Sequence, residues 1–315
     1  MIDQIYEAVN RISPVIRKTP CHFSQAFSDK FKADVWFKYE NLQVTGSFKV
    51  RGAINKIFSL VEQGDNKGVV SASTGNHGAA VAFAAKKAGM SCTIFVPESS
   101  SPAKIKNMKQ FGAQIQITGS DCIESETRAR AEAEKSGLTY VSPYNDLDVM
   151  AGQGTLGVEI SNQCPDMDVA IISVGGGGLI GGTGTALKQG IPTSKVWGSS
   201  PVNSAVMLKS LEAGHVLELE SLPTLSDGTA GGVELDSVTF PVCQSVIDES
   251  ILVSEHEIQH AMISFIDKEH QLIEGAAGTA VAALIQQKEK IRGKRVCVVL
   301  CGANISLDTL RTLLN

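Results

Sequence analysis

What most constrains the fold of this chain is an alternation of short β-branched runs with helix-forming stretches. Residues 68–73 (Gly68-Val69-Val70-Ser71-Ala72-Ser73) read as a buried strand, and an alanine-rich helix follows over about 77–88. Residues 92–96 and 113–117 give two more strands, with helices expected over 102–111 and 121–136. A second series begins after 140–143: a helix at 149–162, a strand at 168–173, a glycine cluster opening another helix, and an apolar strand at 295–300. Unbroken apolar runs suit strands covered on both faces, and βαβα order builds a parallel sheet with helices on each side. The expectation is an α/β protein of two units, each an open, mostly parallel sheet covered by helices, with the turn residues 142–146 at one boundary.

Composition narrows the function classes. The chain has 315 residues, of which 43% are hydrophobic and 19% charged, a balance that supports a packed core and excludes general disorder. Its formal charge of −5 argues against nucleic acid as the main partner, since phosphate backbones require a basic surface. No run reaches the roughly 18 apolar residues of a membrane span. The start, Met1-Ile2-Asp3-Gln4, lacks the basic and apolar regions of a secretory signal. The seven cysteines are irregularly spaced and include no C-x-x-C, which fits reduced thiols better than disulfides or zinc. A cytoplasmic enzyme is the expectation.

In open α/β sheets, ligands bind beyond the carboxyl ends of the strands. Three motifs stand there, after the strands ending at Ser73, Ser173 and Leu300. The first is the polar turn Ser73-Thr74-Gly75-Asn76-His77-Gly78, whose hydroxyls, amide and helix N-terminal N–H groups suit a carboxylate. A capped helix start with a turn glycine is its plain alternative. The second is Gly175-Gly176-Gly177-Gly178-Leu179, where backbones without Cβ atoms let N–H groups approach a phosphate. The spacing Gly176-x-Gly178-x-x-Gly181 also matches a dinucleotide fingerprint, but no Asp or Glu follows before Glu212 to hold a ribose. An NAD-dependent oxidoreductase is therefore the distant alternative, and a cofactor with one phosphate and no ribose fits better. Upstream, Ser47-Phe48-Lys49-Val50-Arg51-Gly52-Ala53 sets a lysine beside an aromatic residue.

Together these segments, with Cys301-Gly302-Ala303-Asn304, resemble the pyridoxal-phosphate (PLP) enzymes of fold type II, the tryptophan synthase β group. Within that group they are similar to the serine/threonine dehydratase and serine racemase branch. Further similarity lies in Ala151-Gly152-Gln153-Gly154-Thr155, Ser226-Asp227-Gly228 and Ile273-Glu274-Gly275-Ala276-Ala277-Gly278, so the resemblance spans nearly the whole chain.

The resemblance implies roles. Lys49 would hold PLP as a Schiff base and then act on the Cα proton. Phe48 would lie against the cofactor ring, Asn76 would bond its 3-hydroxyl, and Gly175, Gly176, Gly177, Gly178 and Leu179 would hold its phosphate. Cys301 would face the pyridine nitrogen, a neutral partner that favours prompt β-elimination over transamination. Ser73, Thr74, Asn76 and His77 would surround the substrate, with Asp227 and Gly228 lining the substrate side and Glu274 near the cofactor in a supporting position.

The activity implied is dehydration of an L-serine/L-threonine-type 3-hydroxy amino acid to a 2-oxo acid and ammonia. The alternatives are a serine racemase, with Thr74 as a second acid/base, and a dehydratase of an unusual substrate such as 3-hydroxyaspartate or 3-phenylserine. The expected division is a large unit of 1–51 and 146–315 around a small unit of 52–145, and the resemblance suggests a homodimer. The chain stops at Asn315, soon after the last motif, so no C-terminal regulatory domain is expected. A divalent metal is not expected either: where metal-dependent relatives resemble E-P-x-N-A-x-D, this chain reads Ser200-Pro201-Val202-Asn203-Ser204-Ala205-Val206, without the carboxylates. A monovalent cation held by backbone carbonyls stays open.

Overall fold

A computed structural model describes residues 1–314. Ten strands are present among them: β1 (Cys21–Phe23), β2 (Asp34–Lys38), β3 (Val69–Ala72), β4 (Cys92–Val96), β5 (Gln114–Ile117), β6 (Thr139–Tyr140), β7 (Val169–Ser173), β8 (Lys195–Pro201), β9 (Glu249–Val253) and β10 (Arg295–Val299). They form two sheets. One has six strands in the order β1-β2-β10-β7-β8-β9, and the other has four in the order β5-β4-β3-β6. Every pairing is parallel except that of β1 with β2. This is the doubly covered α/β architecture that the alternation implies.

The apolar runs are buried where the order predicts. All five residues of β7 are buried, as are the last four of β10, because each lies between two strands with helices above and below. β5 is an edge strand, and its sequence Gln114-Ile115-Gln116-Ile117 is mostly exposed. Polar residues on such an edge discourage pairing with another chain. Helix Leu147–Gln163 packs on helix Gly178–Gly190 with unusually close backbones. A Cβ at Gly182 would stand 2.1 Å from the Met150 carbonyl oxygen, so only glycine permits that approach.

Two large apolar cores accompany the two sheets, and the chain passes between them at the lysine motif. Phe48 packs in the core of the six-stranded sheet, whereas Val50, Ala53 and Ile54 pack in that of the four-stranded sheet. A buried ionic network fixes this crossing. Arg51 donates to both oxygens of Glu40 at 2.7 and 2.8 Å, and to Glu159 at 2.8 Å and Thr155 at 3.0 Å. Lys38 reaches the other oxygen of Glu159. Such a network resists loss of a single member, which would strand a buried charge. Among the described residues, no helix is long and apolar enough to cross a membrane.

Candidate active site

Lys49 is the first residue of helix Lys49–Glu62. The turn before it is pinned to the end of β10: Ser47 bridges Gly302, and the Phe48 N–H donates to the Cys301 carbonyl at 3.0 Å. The Lys49 Nζ donates to the Pro143 carbonyl at 2.8 Å and stands 5.3 Å from the centroid of the Phe48 ring. Burial lowers its pKa to about 8, opposed by the fields of Cys301 and Glu274. Near neutral pH this amine is much nearer its free-base form than an ordinary lysine. Burial, aided by Glu274, pushes the Cys301 thiol well up, so it stays uncharged.

The glycine loop follows β7 and opens helix Gly178–Gly190. Gly177 has φ +89°, a left-handed conformation that a side chain would strain. The loop is held from behind through its carbonyls: Thr239 Oγ1 donates to Gly176 O at 2.6 Å, and Cys243 Sγ lies 3.6 Å from Gly177 O. The Tyr144 ring packs so closely that a Cβ on Gly176 would stand 2.3 Å from it. The first N–H groups of the helix have no intrahelical acceptor and form an anion-binding end. Leu179 is buried within the core.

The second loop follows β3 and opens helix Asn76–Ala88. The Ser73 hydroxyl accepts the Gly75 N–H at 3.2 Å, and Thr74 is half-buried. His77 departs from the expected picture. Its ring is buried, and its Nε2 faces the Val141 carbonyl at 2.9 Å. A carbonyl only accepts, so Nε2 carries the proton and the buried Nδ1 is left as an unpartnered acceptor. Burial lowers the imidazole pKa to about 3, so the ring stays neutral and cannot donate to a carboxylate. What His77 offers an anion is its backbone N–H at the helix start.

Asn76 and Glu274 meet across 198 positions of sequence: Asn76 Nδ2 donates to the two carboxylate oxygens at 2.8 and 3.0 Å. Glu274 is buried, and that burial raises its pKa to about 7. Gly228 lies beside it, since a Cβ there would stand 3.5 Å from Glu274 Oε1. Asp227, expected to line the substrate, is 65% exposed and paired with Lys104 at 3.2 Å.

The sequence pattern of the family described as "Pyridoxal-phosphate dependent enzyme" matches residues 12–302. The chain belongs to that family. It is 38% identical over 314 residues, all of this chain and 78% of the other, to the L-threonine ammonia-lyase of Thermotoga maritima. Maize serine racemase superimposes with a TM-score of 0.92 at 31% identity, covering 99% of this chain and 96% of that one. The processed threonine deaminase isoform 2 of Solanum lycopersicum gives 0.92 at 32% identity, with 99% and 92% covered. The NAD alternative is set aside by this family match.

The residues present fit the family's cofactor. A buried amine of lowered pKa, a glycine loop closed from behind and an uncharged buried thiol suit an aldehyde, a phosphate and a pyridine nitrogen respectively. Sequence reasoning missed the Pro143 carbonyl beside Lys49, Tyr144 over the glycine loop, and Asn304. Asn304 does carry a signal, as the last residue of the quoted strand-end motif. A backbone carbonyl and a packing tyrosine carry none.

Proposed function

We propose that this protein is a PLP-dependent ammonia-lyase that dehydrates an L-threonine/L-serine-type 3-hydroxy amino acid to a 2-oxo acid and ammonia. The observation that carries the reading is the half-buried Lys49, its amine held at the Pro143 carbonyl and lowered to about 8, set against the uncharged Cys301. PLP held at Lys49 would supply an electron sink that acidifies the substrate Cα–H once the substrate amine takes the place of Lys49 and frees its amine. The N–H groups at the start of helix Asn76–Ala88, with Ser73 and Thr74, bind the substrate carboxylate and orient that bond toward Lys49. Lys49 Nζ takes the Cα proton, a role that its depressed pKa suits near neutral pH. Asn76 Nδ2 and the glycine loop hold the cofactor's hydroxyl and phosphate, and Cys301 stays a neutral neighbour of its ring nitrogen.

The reading places the site between a small unit of 52–145 and a large unit of 1–51 and 146–315. It extends to a cytosolic homodimer without a divalent metal. Family resemblance supports the dimer. The free cysteines among the described residues support the reducing compartment. For the metal, the support is Ser200 and Val206 at the two positions where carboxylates are needed, so turnover should be unchanged by EDTA.

Thr74 favours racemisation as the second reading, because its half-buried hydroxyl makes no hydrogen bond to the described residues and stands in the loop proposed to bind substrate. Incubation with L-serine and L-threonine in heavy water decides between them. The expected result is pyruvate or 2-oxobutanoate with ammonia, formed faster than any D-amino acid. Formation of D-serine faster than pyruvate overturns the lyase assignment. Release of 2-oxo acid only from a bulkier or acidic 3-hydroxy amino acid would move the substrate class.

A further inference from the structure

Asn304 closes the motif after β10, and no role above uses it. Its side chain and backbone together join three parts of the molecule. Nδ2 donates to the Thr45 carbonyl at 2.9 Å and to Asn76 Oδ1 at 2.6 Å, while its backbone N–H donates to Glu274 Oε2 at 2.9 Å. The lysine-side turn closes over it: Gly46, at φ +74°, has room for no Cβ, which would stand 2.6 Å from Asn304 Oδ1.

These bonds leave one arrangement of the amides. The Thr45 carbonyl accepts only, so the Asn304 group facing it is the NH2. The second hydrogen of that NH2 meets Asn76, so Asn76 turns its oxygen toward Asn304. The Asn76 NH2 must then face Glu274, whose two carboxylate oxygens lie near enough to share one of its hydrogens and leave the second for the cofactor. Glu274 has no cation within salt-bridge distance among the described residues. Its direct partners are these two asparagines and the backbone.

We propose that Asn304 and Glu274 are positioning residues that fix the direction of the Asn76 amide, so that its NH2 rather than its oxygen is offered to the cofactor. The inference rests on the proposed role of Asn76 as a donor to the cofactor hydroxyl. An asparagine free to flip would present the wrong end part of the time, and an acceptor facing a phenolic oxygen loses the bond and repels it.

A double-mutant cycle in cofactor affinity tests this. Apoenzyme is titrated with PLP, read by the visible absorption band, for Asn304→Ala, Glu274→Ala and Glu274→Gln, each alone and combined with Asn76→Ala. Melting of each apoenzyme establishes that it is folded. Asn304→Ala and Glu274→Ala should each weaken binding about tenfold, the effect of one misdirected half-buried amide. Glu274→Gln keeps an acceptor oxygen and should bind within about threefold of wild type. In the Asn76→Ala background the same substitutions should cost about twofold or less, because they act through Asn76.

Penalties that persist undiminished in the Asn76→Ala background overturn the inference, as do folded variants that bind like wild type. Should Asn304→Ala not fold, Asn304→Ser takes its place in the cycle with the same expectation. Failure of the underlying reading looks different: Asn76→Ala alone would bind PLP as tightly as wild type.

Discussion

Two loops of this protein use the same physical device with different materials. The glycine loop after β7 and the Ser73–His77 loop after β3 both end a parallel strand and open a helix whose first N–H groups are unpaired. The first presents backbone alone, held from behind by Thr239 and Cys243 and roofed by Tyr144. The second adds side chains, and its Asn76 is tied to Glu274 and Asn304, both far away in sequence. A helix N-terminus supplies attraction for an anion in either case. Backbone fits a group whose shape never changes, such as a phosphate. Side chains let a loop choose among substrates.

The sharpest way to break the comparison is to remove the lysine between the loops. Lys49→Met should lower turnover by at least about 10⁴-fold, the scale of losing the base and the covalent anchor together. The same variant should stabilise the apoenzyme near pH 7 by up to about 3 kcal/mol. The folded pKa of about 8 lies below the ordinary lysine value, so the unfolded chain binds the extra proton between the two. The amine's penalty is therefore full below about 8 and fades as pH rises toward the ordinary value. Melting of both apoenzymes across that window should show the gap closing, and a constant gap would refute the account.

Next in size is the glycine loop. Gly177→Val forces a β-branched residue into the left-handed region and sets a Cβ 2.7 Å from Cys243 Sγ. PLP affinity, measured by equilibrium titration, should fall by about a hundredfold or more, because the distorted turn no longer points its N–H groups at the phosphate. In the side-chain loop, Thr74→Ala should raise KM by about tenfold, one charge-assisted hydrogen bond to a carboxylate. Its kcat for elimination should change little, and cofactor affinity should not move. A drop in kcat with KM unchanged would make Thr74 part of the chemistry instead. The smallest effect belongs to the exposed pair between Lys104 and Asp227. Lys104→Ala should shift stability by less than about 1 kcal/mol, less again at high salt, in chemical denaturation.

How much of this was legible in the sequence depended on distance along the chain. β3, β4, β7 and β10 are largely apolar runs and β5 alternates apolar with polar residues; all five are predicted within a residue or two of their ends. β1, β2, β6, β8 and β9 are not anticipated. β1 has three residues, and β2 carries alternating burial in a stretch crowded with charge. The strand order, with β10 inserted between β2 and β7, comes from contacts that no local pattern records. The same holds in the site. The motifs find Lys49, the glycine loop and Cys301 because each is a local arrangement of backbone and neighbours. The inward turn of the His77 ring, the Pro143 carbonyl beside Lys49 and the hold of Asn304 on Asn76 are products of packing between segments far apart in sequence.

The passage of the chain from one core to the other between Phe48 and Val50 also bears on how the molecule comes apart. A ligand anchored at Lys49, as proposed above, would sit on the seam, touch the surroundings of both cores at once, and act there as a rivet. Without it, the two sheets and their helices would be held to each other by the buried Arg51 network and by the packing of helix Lys49–Glu62 on helix Leu147–Gln163, and each could melt at its own temperature. With it, loss of either body releases the ligand and forfeits its binding energy, so the two transitions merge into one. Cofactor supply would then govern the cooperativity of unfolding as well as the catalytic rate.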